Sequence, residues 1–147
     1  MTYEGRGVAI VSTICGPSGI CFDSPKDLRP ANQAQGIDSA VETWTGDDFE
    51  VTVDQGPFVD PLTRYGERPE FVASDGEVAG RPVRVVEFID DDGSRVTGAH
   101  FPGQQGEGES GVGGTGRPPV TVIVRSSPGM PKDAALQVVH SIRFPGA

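Results

Sequence analysis

Between Ser39 and Phe101 the chain repeatedly sets a β-rich run on each side of a short turn signal. SAVETW and FEVTV flank TGDD, EFVAS and EVAG flank Asp75-Gly76, and PVRVVEFI and SRVTGAHF flank DDDG. Phe49, Val51 and Val53 alternate with Glu50 and Thr52, the pattern of a strand with one face to bury and one to wet. Asp-Gly pairs supply the positive φ that tight hairpins require. Strands joined this closely pair antiparallel. A further run, PPVTVIVRSS, is a strong strand.

Two segments read as helices. In DPLTRY, Asp60 suits an N-cap and Pro61 the first helical position, so a short mid-chain helix is expected there. In PKDAALQVVHSIRF, Ala135, Val138, Val139 and Ile142 fall at helical spacing behind Pro131. That amphipathic helix has to bury its stripe on the sheet. Ser24 to Gly36 is polar, contains Pro25 and Pro30, and reads as a loop. The expected class is therefore α+β, an antiparallel sheet of hairpins packed by a C-terminal helix and one short mid-chain helix. A chain of 147 residues fits one such domain, spanning 1–147. Glycine and proline make up 34 residues, 21 and 13, which points to long turns within an ordered core. The richest stretch, 103–116, is expected to be a flexible surface loop.

The only cysteines, Cys15 and Cys21, bracket Gly16-Pro17-Ser18-Gly19, a turn by composition. A hairpin here sets them opposite each other, within reach of a disulfide. Two buried thiols, half a metal site and a redox pair are the alternatives. Redox pairs favour C-x-x-C at a helix N-terminus, and five intervening residues in a hairpin do not give that. Zinc needs two more ligands, and only His100 and His140 are on offer, at a spacing that suits no compact zinc ribbon. A disulfide implies an oxidising compartment, periplasmic or secreted, whose leader is not in this chain. The first residues themselves carry no signal-peptide pattern, so a cytoplasmic location stays open.

The net charge is −9, and the twelve basic residues, ten Arg with Lys26 and Lys132, are dispersed. Nucleic-acid binding needs a basic stripe and is not expected. Anionic membrane surfaces repel such a chain. No run approaches the roughly 20 apolar residues of a helical span.

Taken in order, a ladder of strands, a small helix, the hairpin EVAGRPVRVVEF, a strand and a closing helix that ends on Ser141, Ile142, Arg143 and Phe144 resemble the PsbP-like superfamily over roughly residues 20–144. The resemblance is to its small bacterial secreted or lipid-anchored members. It implies an antiparallel sheet flanked by helices and an accessory or docking role. It carries over no catalytic residues. The long glycine loop and the lack of a lipid-attachment cysteine depart from the pattern.

Reactive motifs fail on context. Gly106, Gly108 and Gly111 match GxGxxG, as do Gly111, Gly113 and Gly116, but a strand follows instead of a helix, and Glu107 and Glu109 repel phosphate. A calcium loop with Gly93 at its sixth position puts Phe88 and Ala99 where carboxylates belong. Asp92-Gly93 is thus a hairpin turn with Asp90 and Asp91 solvated beside it. Ser18 and Ser110 each lack the second glycine of a nucleophile elbow. His100 reads as a hydrogen-bonded sheet histidine and His140 as lying at the core edge or on the solvent face. No catalytic residue, metal or cofactor is assigned. Trp44 is either a core anchor or, with the acidic turns Asp47, Asp48, Asp90 and Asp91, part of a surface for a protein partner. The expected function is a non-catalytic extracytoplasmic binding or accessory module. A hydrolase using carboxylates or His100, and a cytoplasmic assembly protein, are the alternatives.

Overall fold

The computed structural model describes residues 10–35, 40–56, 59–103 and 118–145. Two antiparallel sheets and one helix make up the regular structure of these residues. β1 (Ser12–Cys15) and β2 (Cys21–Ser24) form a two-stranded hairpin. β3 (Arg29–Gln35), β4 (Ala40–Thr45), β5 (Phe49–Gln55), β6 (Val72–Val78), β7 (Arg81–Ile89), β8 (Arg95–Phe101) and β9 (Val120–Ser126) form a seven-stranded sheet, ordered β3-β4-β5-β9-β8-β7-β6. Helix α1 (Lys132–His140) follows β9.

The alternation seen in the sequence decides the two faces. Val51, Val53, Val120, Val122, Val124, Ala99 and Phe101 point to one side, where Val138, Val139 and Ile142 of the C-terminal segment and Ile20 and Phe22 of the first hairpin cover them. The opposite side carries a smaller core of Leu62, Val86, Phe88 and Val96, flanked by Tyr65, Phe71 and Ile123. Segment 59–71 supplies the cover there, pinned where the Ile89 N–H donates to the Pro69 carbonyl at 2.9 Å.

The fold is mostly β, which overturns the α+β class and its mid-chain helix. Asp60 does cap, because its Oδ1 accepts the Leu62 N–H at 2.8 Å. But Leu62 sits at φ 62°, in the left-handed region, and that closes the helical route. The segment turns instead, and buries Leu62 fully against the sheet. Two smaller readings change as well. Ser24 to Gly36 is not all loop, since β3 begins at Arg29. β3 is an edge strand, so Pro30 forfeits no ladder bond, and the register breaks between Pro30 and Asn32. Asp75-Gly76 is not a turn, since β6 runs straight through it and the chain reverses at Ala79-Gly80. The other two hairpins, β4–β5 and β7–β8, and α1 lie where the sequence places them. Of the glycine-rich stretch 103–116, all but Gly103 lies outside the described residues.

Candidate functional site

Segment 59–71 covers β7 and β8 but stops short of β5. A groove of about 450 Å3 remains along its border, with Thr52, Asp54, Thr121, Ile123 and Arg125 of β5 and β9 as its floor. These are the residues that alternate with the core valines, so a strand period of two is what aims them outward.

The wall is held by charge. Oδ2 of Asp60 accepts from the Tyr65 hydroxyl and from Arg64 at 3.4 Å. Burial pushes the Asp60 carboxyl up, but these donors and the Leu62 N–H outweigh it and leave it below its ordinary value. Tyr65 stacks on Phe88, with centroids 4.8 Å apart. At the other end Arg125 donates to Asp90 at 2.7 Å, and Arg68 reaches Asp91 at 2.8 Å and Asp90 at 3.8 Å. The Arg125 hydrogen bond, then the Asp91 N–H, hold the Asp90 carboxyl low. Asp54 has no such donors among the described residues, and burial pushes its carboxyl up.

Beside the groove, Asp54, Thr121, His100 and Arg84 form a cross-strand row on β5, β9, β8 and β7. Thr121 Oγ1 donates to the Asp60 carbonyl at 2.6 Å, so its one proton is committed. His100 Nδ1, 2.8 Å from the same hydroxyl, must therefore be the donor. Burial pushes the imidazole below its ordinary 6.5, against the pull of Asp60. The ring is neutral at pH 7, with its lone pair on Nε2. Asp54 and His100 both lie opposite Thr121, which places their Cα atoms about 10 Å apart.

On the other side of the sheet Cys15 and Cys21 form a disulfide, with Cα atoms 4.1 Å apart and sulfurs 2.10 Å apart. The turn between them rests on Glu42, a carboxylate only 1% exposed. Ser18 donates to it twice, from its N–H to Oε2 at 2.8 Å and from its hydroxyl to Oε1 at 3.1 Å. Gly16 is dictated by this contact, because a Cβ there would stand 2.1 Å from Glu42 Oε1.

The sequence-predicted residues do not converge on one site. Trp44 is 4% exposed and packs edge-on against Phe22, so it anchors the core. Asp47 and Asp48 are exposed at the β4–β5 turn. The register Phe49↔Ser126↔Arg95 brings that turn to the same end of the sheet as Asp90 and Asp91. Asp91 is solvated as expected. Asp90 is not, since Arg125 and Arg68 clasp it. His140 is exposed and His100 is the hydrogen-bonded sheet histidine. Asp54, Tyr65, Arg68 and Arg125 have no site role in the sequence reading, where Asp60 is only a helix cap. The polar half of the β5 alternation pointed to Asp54, but nothing local pairs Arg125 with Asp90, 35 residues away.

No family model, curated protein or solved structure matches the chain. Among the described residues no helix is long and apolar enough to cross a membrane, and no group of three His, Cys, Asp or Glu is placed to hold a metal ion.

Proposed function

We propose that this chain is a non-catalytic extracytoplasmic accessory module that docks a protein partner in the groove bordered by segment 59–71. The observation that carries the reading is the pairing of the groove's charges at both of its ends, around Asp60 and Asp90, with Asp54 between them left without such donors among the described residues. Asp60 is held by Tyr65, Arg64 and the Leu62 N–H, and Asp90 by Arg125 and Arg68. Groups fixed this way present a rigid, chemically quiet relief, suited to recognition. The disulfide supports an oxidising compartment. Kinship with the PsbP-like accessory proteins belongs to the same proposal; the antiparallel strands closed by α1 and the stretch Ser141 to Phe144 favour it, and the lack of the small mid-chain helix counts against it.

A photo-cross-linking residue at Thr52, compared with one at the exposed Asp133 of α1, tests the reading in cell-envelope extracts. One product specific to Thr52, and lost with Arg125→Glu, is the expected result. Identical products from both positions refute the groove as the docking surface. A hydrolytic reading has one specific observation behind it, the neutral His100 with Nε2 free of hydrogen bonds to the described residues. It requires turnover on a panel of esters that His100→Gln abolishes.

A further inference from the structure

The large sheet has two outer edges, and the chain treats them differently. β3 is blunted by Pro30, which has no N–H, and by the register break after it. β6 has neither device. It pairs with β7 in unbroken register from Val72↔Glu87 to Val78↔Arg81, without proline, lysine or bulge. Residues 72–77 are all exposed, and Val72 is 56% exposed. Among the described residues β6 pairs with β7 alone, and a strand paired on one side presents alternate N–H and C=O groups to whatever approaches the other.

The two faces of this edge differ in chemistry. Val72, Ser74 and Gly76 share the face that carries α1, by strand alternation. A Cβ at Gly76 would meet nothing within 4 Å. Beside Val72, a groove of about 230 Å3 opens between the β6–β7 pair and Ala135 of α1, lined also by Ile89, Glu87 and the Arg95–Glu70 ion pair. The opposite face presents Asp75 and Glu77. A strand laid against β6 would set alternate side chains over the small residues and the groove, and the intervening ones beside two carboxylates.

We infer that β6 is a strand-addition site for an extended partner segment in which apolar residues alternate with Lys or Arg. Main-chain bonds to the β6 edge supply affinity, and the groove and the Asp75–Glu77 face supply specificity. A second copy of this chain is the disfavoured occupant, since it brings the same two carboxylates and a net charge of −9. This surface follows the β6 edge, whereas the groove of segment 59–71 has its floor on β5 and β9.

The test uses the whole chain with two synthetic octapeptides, (Val-Lys)4 and (Val-Glu)4, followed by amide NMR and hydrogen exchange. The expected result is shifted and slowed amides at 72–78 with the lysine peptide, while Thr52, Tyr65 and Arg125 stay in place. The double variant Asp75→Lys with Glu77→Lys should bind the lysine peptide about tenfold or more weakly and gain the glutamate peptide. Both positions are exposed, and an unchanged circular dichroism spectrum verifies the fold. Unmoved β6 amides, equal binding of both peptides, or β6 shifts that follow protein concentration without peptide each overturn the inference.

Discussion

Asp54 and Asp60 line one groove, yet their carboxyls are driven in opposite directions. Asp60 is depressed, so it contributes stability above its ordinary pKa that is lost as pH falls through its folded value. Asp54 is raised by burial, so the sign reverses. Its native form keeps the proton longer than the unfolded chain does, and stability is lost as pH rises from 3.8 through the elevated value. At pH 7 the ionised Asp54 is a cost. Asp54→Asn is expected to stabilise the fold at pH 7, with no gain at pH 3. Urea denaturation at the two pH values measures it. The alternation of Phe49, Val51 and Val53 made the polar side of β5 legible. The half-burial of Asp54 was not, since its cross-strand neighbour Thr121 lies 67 residues away.

At the level of elements, the hairpins with strong alternation and short acidic turns were readable, and the edges were not. Residues 72–77 of β6 are exposed on both faces, so the strand has no apolar period to outvote the turn signal of Asp75-Gly76. β3 hides behind Pro30 for a related reason, because only an edge tolerates the missing donor. The true reversal uses Ala79 at φ 54° and Gly80 at φ 78°, the signs of a primed two-residue turn. Alanine is a poor first residue there. Ala79→Asn is expected to raise stability by about 0.5–1 kcal/mol, read as a higher urea midpoint with unchanged slope. DPLTRY misled in the same local way. Asp60 is a cap, but the burial of Leu62 against the sheet, beside Gly98, decides what is capped. A Cβ on Gly98 would stand 2.9 Å from Leu62 Cδ1.

On the scale of the whole molecule, the first hairpin is an outlying two-stranded sheet fastened to the rest. Glu42 holds its turn, Cys21 exchanges backbone bonds with Arg143 at 2.9 Å in both directions, and Asp23 takes Arg143 at 3.0 Å. The Arg143 hydrogen bond, then that of Thr13, keep the Asp23 carboxyl below its ordinary value. Removing the disulfide with Cys15→Ser and Cys21→Ser is expected to lower unfolding free energy by about 2 kcal/mol, from the small loop it closes. The large sheet should survive, with unchanged strand content by circular dichroism. Unreduced native protein should give no reaction with Ellman's reagent.

The stitching of Cys21 to Arg143 also sets an order of events during biosynthesis. The cystine ring joins residues six apart and can close while most of the chain is still on the ribosome. The seam that fastens it joins Cys21 to Arg143, 122 residues on, and must wait for nearly all of them. Until then Ile20 and Phe22 have no lid to meet, so the nascent chain carries an uncovered apolar flank that a folding helper has reason to shield.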